Sequence, residues 1–186
     1  MGTKNVKENN VMILDLEKLK YPIGKFDPPK TITEAQIKQW MEQLVMLPQE
    51  LSAISSALTE EQLEVQYRPE GWTVRQVIHH LADSHINAYT RVRLTLTEEK
   101  PTVRPYDEVA WAELADAKSG DIQVSIAILK AIHERLVTLL KTLIFGDFER
   151  TYYHPAANEE FTLGYLVGNY AWHGKHHLAH IYSTMK

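Results

Sequence analysis

The sequence predicts an all-α protein, built as a four-helix bundle. Four segments place apolar residues at intervals of about 3.6 residues, and no segment alternates convincingly between apolar and polar residues as a strand would. The 186 residues suit a single domain with one sizeable core. Long amphipathic helices without strands are expected to pack as a bundle, which builds metal and ligand sites from side chains on facing helices.

The expected domain organisation is an N-terminal arm over residues 1–30 and a bundle domain over residues 31–186. Pro22, Pro28 and Pro29 prevent a regular helix in the second half of the arm. We therefore expect a non-helical arm that lies over the surface of the bundle.

The first predicted helix begins after Thr33, which can form a capping box with Gln36. Its apolar residues recur at helical intervals as far as Leu58. Pro48 lies inside this segment and predicts a kink, because proline removes a backbone donor and crowds the preceding turn.

The second predicted helix begins after Thr73, which can form a capping box with Gln76, and it contains three histidines. His85 lies near the centre of the apolar stripe. His80 lies off one margin, and His79 faces away. Periodicity alone therefore selects His85 as the buried histidine of this helix.

A long link over residues 98–120 joins the second and third predicted helices, and Pro101 and Pro105 stop the helix before it. Links of this length often serve as lids or binding loops. The alternative is a loop that is packed by its aromatic residues and has solvated charges. The residues of chemical interest are Arg104, Tyr106, Asp107, Glu108 and Trp111.

The third predicted helix begins after Asp121 and carries His133 on its apolar stripe. A single histidine on such a face is more often a hydrogen-bonded core residue. The main functional alternative is that it forms a hydrogen bond with a residue that binds a metal. Residues 146–160 are predicted to form a turn-rich link in which His154 is exposed.

The fourth predicted helix starts near Thr162 and holds four of the nine histidines within a short stretch. His177 points toward the core, and His173 lies one turn before it. This spacing places two imidazoles side by side, as in pairs that share a metal ion. His180 borders the same stripe, whereas His176 is turned away. A metal site and hydrogen-bonded core histidines are both compatible with this pattern.

Composition excludes several other chemistries. The chain has no cysteine, so a metal must bind nitrogen and oxygen ligands. The net charge of −4, without a basic block, gives no footprint for nucleic acid. No apolar run suits a membrane span or a signal peptide, so the expected location is cytoplasmic. Paired Glu-x-x-His motifs, HExxH, GxSxG and phosphate-binding loops are all missing from the sequence.

If His173 and His177 bind a metal, another helix must supply the third ligand. The candidates are His79, His80, His85 and His133. Three neutral imidazoles leave coordination positions open for water or substrate, as in catalytic sites. Nitrogen ligation suits zinc, nickel, copper or iron, so the ligand type does not identify the metal.

Three segments together resemble the DinB superfamily, and closely its YfiT-like branch of proteins classed as metal-dependent hydrolases. They are GWTVRQVIHHLADSH at 71–85, RPYDEVAW at 104–111 and NYAWHGKHHLAH at 169–180. The resemblance extends over nearly the whole chain from Tyr21. It implies a four-helix bundle that binds one divalent ion through three histidines, which correspond here to His80, His173 and His177. It thus favours His80 where periodicity favours His85.

The resemblance also implies a function. The first expectation is a metal-dependent hydrolase with a small-molecule substrate, and nickel or zinc is the expected ion, with manganese, iron and magnesium as alternatives. A second is a thiol S-transferase that uses bacillithiol or a similar thiol, and a third is a non-catalytic metal-binding bundle. A homodimer is expected. His180 is expected beside the site, and contributions from His85 and His133 stay open.

Protonated histidine cannot donate a lone pair to a metal. We therefore expect acid to release the ion between about pH 7.5 and about pH 5.

Overall fold

The computed structural model describes residues 16–185, and four long helices form most of this range. They are α1 (Glu34–Ser55), α3 (Val74–Thr97), α6 (Ile122–Leu140) and α7 (Leu163–Thr184). Three short helices are α2 (Glu60–Leu63), α4 (Glu108–Ala112) and α5 (Ala115–Ser119). No helix in the described range is long and apolar enough to span a membrane.

The long helices pack as a four-helix bundle, which confirms the predicted fold class. Both α1 and α3 pack against α6 and α7, so α6 and α7 each contact the two other long helices. The predicted link between the second and third long helices is not a simple loop, because it contains α4 and α5, and both of these helices pack against α3.

The predicted helix starts are confirmed by hydrogen bonds. Thr33 and Gln36 form a reciprocal capping box at the start of α1, and Thr73 and Gln76 form another at the start of α3. Each box satisfies backbone N–H groups that the first turn of a helix leaves without partners. The cap of α6 is the side chain of Asp121.

A β-hairpin occupies part of the segment that was predicted to be a turn-rich link, so that prediction was incomplete. A 3-10 turn over Phe145–Glu149 leads into antiparallel strands β1 (Thr151–His154) and β2 (Glu159–Thr162). Each strand has four residues, which is too short for a clear alternating pattern. Asn158 takes a positive φ of 53° in the connecting turn, a conformation that asparagine tolerates better than most residues.

The arm lies across the bundle where it is described. The arm was predicted to be non-helical, which is wrong for residues 16–20, because these residues are helical. Residues 21–33 have turns but no regular structure, as the prolines there predict. Phe26 packs with its ring centroid 6.2 Å from that of Trp40 on α1 and 6.2 Å from that of Trp172 on α7. The first half of the predicted arm, residues 1–15, lies outside the described residues.

Two apolar clusters fill the bundle, and between them lie four histidines, of which three are buried and His173 is half-buried. The first cluster includes Leu44, Ala88, Leu136 and Ala171, and the second includes Leu47, Leu81, Leu129 and Leu178. Between these positions along α3, α6 and α7 lie four histidines, which we call the histidine layer: His85, His133, His173 and His177. The helical stripe thus changes from apolar to imidazole side chains for one layer and then becomes apolar again.

Candidate metal centre

The three histidines that the resemblance selected come together in the structure. One ring nitrogen from each of His80, His173 and His177 lies within 4.8 Å of the other two. The Nε2 atoms of His80 and His173 are 3.2 Å apart. The ring centroid of His177 lies 4.5 Å from that of His173 and 4.9 Å from that of His80. Two helices therefore supply a compact set of three nitrogen donors.

The two helices position these rings in different ways. His173 and His177 lie one turn apart on α7, where residues at i and i+4 share a face. His80 comes from α3, and its ring lies 4.6 Å from the ring of Trp72, which precedes that helix. His85 is fully buried, as periodicity predicted, but it contacts His173 from the opposite side of that ring and does not join the three.

A close approach of α1 supports the α7 pair. Gly174 lies between His173 and His177, and a Cβ atom at this position would collide with the side chain of Leu47 on α1. Glycine therefore allows Leu47 of the second apolar cluster to approach the backbone of α7 next to His173.

Burial keeps the three imidazoles neutral. It lowers the pKa of His80 to about 4, with a smaller contribution from His176. Burial also lowers the pKa values of His173 and His177 well below the ordinary value of 6.5, and repulsion from neighbouring imidazolium charges lowers them further. Neutral imidazole is the form that binds a metal. Proton competition for the His80 nitrogen should therefore need a pH nearer 4, which lies below the range of about pH 7.5 to 5 expected from the sequence.

The separation of the His80 and His173 ring nitrogens fits a divalent ion. Two nitrogens that bind one zinc ion at about 2.0–2.1 Å with a tetrahedral angle lie about 3.3–3.4 Å apart. The His80 and His173 Nε2 atoms are separated by 3.2 Å. Three neutral imidazoles suit zinc or nickel better than the hard cations magnesium and calcium, which prefer oxygen ligands.

The three histidines line a cavity of about 520 Å³. Its other lining residues include Lys20, Tyr67, Arg68, Glu70, Trp72, Glu108 and Trp172. The arm, the segment before α3 and the link all contribute, so the cavity is closed by elements outside the four long helices. A volume of this size accommodates a small molecule.

Of the two carboxylates of interest in the link, Asp107 and Glu108, only Glu108 lines this cavity. The residue as a whole is exposed, but partial burial of its carboxyl and the nearby charge of Asp107 raise its pKa. Asp107 has a structural role, because its side chain accepts the N–H of Ala110 at the start of α4. Asp83 is half-buried and does not line the cavity, although burial raises its pKa as well.

His176 was predicted to be turned away from the apolar stripe of its helix, but this position is not exposed to solvent. Its side chain is buried and lines the cavity. The ring stacks on Trp172 with centroids 4.5 Å apart, and Tyr21 of the arm lies 5.8 Å away. The periodicity of one helix identifies its own apolar face, but it does not show that another segment covers the opposite face.

His79 was also predicted to face away, and it too is buried. Its Nδ1 lies 2.7 Å from the hydroxyl oxygen of Ser125, and its Nε2 lies 3.3 Å from the carbonyl oxygen of Gly120. The end of the link covers this side of α3. His154, predicted to be exposed, is half-buried in the hairpin.

Comparison with known proteins identifies the family. Residues 43–181 match the sequence profile of the DinB superfamily. The chain belongs to the DinB superfamily. The match includes the three histidines on α3 and α7, and it confirms the resemblance seen in the sequence.

Bacterial relatives of the DinB superfamily align with most of the chain. "Putative metal-dependent hydrolase YfiT" of Bacillus subtilis is 48% identical over 163 residues, which are 88% of this chain and 92% of that protein. A Bacillus pumilus protein of the same class is 47% identical over 168 residues, 90% of this chain and 95% of that protein. In both cases the alignment covers most of this chain and nearly all of the relative.

A solved structure agrees with the fold. It is YfiT from Bacillus subtilis, described as "a probable metal-dependent hydrolase with an unusual four-helix bundle topology". It matches with a TM-score of 0.88 and 47% sequence identity, over 90% of this chain and 95% of that chain.

Proposed function

We propose that this chain is a metal-dependent hydrolase that binds one divalent ion, nickel or zinc, through His80, His173 and His177. The main support is the convergence of three neutral ring nitrogens from two helices at the wall of a cavity. The names given to the Bacillus relatives point to the same class of activity. A divalent ion bound by three imidazoles supplies Lewis acidity at coordination positions that are left open.

Residues around the three histidines would bind and orient a small substrate. Trp72 and Trp172 provide apolar walls, whereas Lys20 and Arg68 provide positive charge on the same cavity. Such a combination suits a small molecule with an apolar body and an anionic group.

Glu108 would accept the proton of the attacking nucleophile. Its raised pKa makes it a better base near neutral pH than an ordinary glutamate, because a general base works best when its pKa is close to the working pH. Its place on the link would let it approach a substrate from the solvent side of the cavity.

The small number of carboxylates favours a second candidate, thiol S-transfer. Among the described residues that line the cavity, only Glu70 and Glu108 carry carboxylates. A thiol that is held as thiolate can attack an electrophile without further help from a base. Bacillithiol or a similar low-molecular-weight thiol would then be the co-substrate.

Elemental analysis of protein purified without added metal tests the metal site, which both candidate functions require. We expect about one divalent ion per chain in the wild type and almost none in His80→Ala. His79→Ala is the matched control, because it removes the neighbouring buried imidazole, whose ring contacts lie away from the cavity. Equal metal content in wild type and His80→Ala would contradict the proposed site.

Activity measurements on the metal-loaded protein separate the two candidates. Release of nitrophenol from nitrophenyl esters without thiol, and its loss in Glu108→Gln, would support the hydrolase. Conjugation of bacillithiol to chlorodinitrobenzene above the metal-free control, unchanged in Glu108→Gln, would instead support the transferase. The expected homodimer and cytoplasmic location stay predictions, which light scattering and cell fractionation can test.

A further inference from the structure

A continuous path of ring contacts links His173 to the backbone of α1. The Nδ1 atom of His133 lies 2.6 Å from the carbonyl oxygen of Leu44, and its Nε2 lies 2.8 Å from Nδ1 of His85. The Nε2 atom of His85 lies 3.3 Å from Nδ1 of His173. Three long helices besides α7 therefore contribute to one hydrogen-bonded path, which we call the Leu44 relay.

The carbonyl at its end fixes the direction of this relay. A carbonyl oxygen can only accept, so Nδ1 of His133 must donate. Burial lowers the pKa of His133 to about 4, so at pH 7 the ring is neutral and its Nε2 accepts from Nδ1–H of His85. By the same logic, Nε2 of a neutral His85 accepts from Nδ1–H of His173. The lone pair on Nε2 of His173 is then left facing His80.

The sequence explains why the Leu44 carbonyl is available. In a regular helix this oxygen would accept from the N–H of the residue four positions later. That residue is Pro48, which has no N–H. The proline inside α1 therefore leaves a buried acceptor without its helical partner, and the ring of His133 provides the missing donor.

A second path of the same kind links His177 to the arm. The Nε2 atom of His180 lies 3.1 Å from the carbonyl oxygen of Leu19 and 3.2 Å from that of Lys20. Its Nδ1 lies 3.3 Å from Nδ1 of His177. The carbonyls belong to the last turn of the helical residues 16–20, where helix ends leave acceptors free. We call this path the arm relay.

The arm relay has a defined direction as well. Since both carbonyls can only accept, Nε2 of His180 donates, and Nδ1 of a neutral His180 accepts from Nδ1–H of His177. The lone pair of His177 is therefore on Nε2. Both histidines of α7 thus reach the same tautomer through separate relays.

We propose that His85, His133 and His180 are positioning residues, which hold His173 and His177 as Nδ1–H tautomers with their Nε2 lone pairs presented to one metal ion. The proposal rests on the proposed metal site for its purpose, whereas the tautomers themselves follow from the protein alone. Fixing the tautomer and the ring orientation of a ligand, and raising its basicity, are the known effects of such partners.

The arm relay also accounts for a second histidine group. One nitrogen from each of His176, His177 and His180 lies within 4.8 Å of the others, so this group has the spacing of a metal site. However, His180 directs one nitrogen to the arm carbonyls and the other to His177. We therefore assign the contact between His177 and His180 to support of the first site.

Nitrogen-15 NMR of the metal-free protein at pH 7 tests the tautomers directly. We expect long-range couplings that identify Nδ1–H forms for His85, His133, His173 and His177, and an Nε2–H form for His180. Nε2–H forms of His173 and His177 would overturn the proposal. Because no metal is needed, this result does not depend on the proposed function.

Zinc titration of variants tests the consequence for metal binding. His180→Leu removes a direct partner of His177 and should weaken zinc affinity by about 10- to 100-fold, whereas His133→Leu acts through His85 and should weaken it by a factor near the lower end of that range. His133→Gln and His180→Gln should retain affinity within about threefold, because an amide can donate to the carbonyl and accept from the next ring. His79→Leu removes a buried imidazole that contacts Ser125 and Gly120 and belongs to neither relay, so this variant should bind zinc with wild-type affinity.

The outcomes separate this proposal from the proposed function. If the wild type binds no zinc, the proposed function fails while the NMR result still decides the tautomers. If the wild type binds zinc and both leucine variants bind it equally well, the positioning role is wrong and the metal site stands. Circular dichroism of each variant shows whether it is folded, and a folded glutamine variant with leucine-like affinity would also contradict the relays.

Discussion

The histidine layer and the apolar clusters on either side of it occupy the same stripe of the same helices. Leu129 and Leu136 on α6 are almost fully buried, and so is His133 between them. The leucines contribute by removing apolar surface from water. The imidazole instead needs partners for both ring nitrogens, and it finds them in Leu44 and His85.

This difference shows how one bundle can separate stability from chemistry. The apolar clusters need only shape and hydrophobicity, so they can hold the helices together with or without a ligand. The histidine layer is acceptable inside the core because Nδ1 of each ring is hydrogen-bonded, and in the proposed tautomers the Nε2 lone pairs of His173 and His177 stay available to a metal. Four experiments test this separation, in order of decreasing effect.

The largest effect is expected for His177→Ala, which removes one of the three donors. At an ion concentration of about 10,000 times the wild-type Kd, a bound ion stabilises the fold by about 5.5 kcal/mol, and the variant should lose this increment together with its metal. Thermal unfolding with and without chelator measures it. If His177 binds the ion, the losses of stability caused by chelation and by the substitution should not be additive. A variant that still gains stability from metal would contradict the proposed role of His177.

Leu129→Ala in the second apolar cluster should behave in the opposite way. It should lower the free energy of unfolding by about 2–5 kcal/mol, as expected when a fully buried leucine is truncated. The loss should be the same in chelator and in saturating zinc, because the ring nitrogens are not touched. Urea unfolding under both conditions measures this, and a loss confined to the metal-bound form would show that the two regions are not separate.

The pH dependence of stability should distinguish the two regions in metal-free protein. The pKa of His133 is about 4 in the folded chain and about 6.5 when unfolded, so the unfolded chain binds more protons as pH falls between these values. The stability that the folded chain gains from keeping His133 neutral is complete above about pH 6.5. It declines by about 1.4 kcal/mol per pH unit as the pH falls toward 4.

Urea unfolding from pH 7 to 4.5 in chelator checks this titration. His133→Leu should reduce the slope of stability against pH, because one titrating group has gone. Leu129→Ala should keep the wild-type slope despite its lower stability. Equal slopes for wild type and His133→Leu would mean that the buried ring does not titrate as described.

The smallest effect is expected for Pro48→Ala, far along the Leu44 relay. The new N–H would compete with His133 for the Leu44 carbonyl, although this oxygen can accept two hydrogen bonds. Zinc affinity should fall by a few fold, less than the roughly tenfold minimum for loss of a direct partner. Calorimetric zinc titration measures this change. Leu51→Met, a volume-conserving substitution on the same helix, is the control variant. A loss equal to that of His133→Leu would contradict this ranking.

Much of the fold could be predicted because its determinants are local. The caps at Thr33 and Thr73 depend on residues three positions away, and the pairing of His173 with His177 depends on one helical turn. The hairpin was missed because a strand of four residues has too little periodicity to recognise.

The site was predictable only in part, because its remaining features depend on contacts between elements. Periodicity identified His85 as buried, but it could not show that His80 would face α7 or that the arm would cover His176. Pro48 was visible as a helix breaker. That its free carbonyl would meet His133 depends on how α1 packs on α6, which a single helix does not reveal.

X-ray absorption spectroscopy of the zinc-loaded protein tests the central claim most directly. We expect one ion per chain with a nitrogen or oxygen shell at about 2.0–2.1 Å, and outer-shell scattering that corresponds to three imidazoles. His79→Leu should give the same spectrum, and His80→Ala should lose it. A spectrum with one imidazole or none, or a protein that retains no ion, would contradict the convergence of His80, His173 and His177 on a metal.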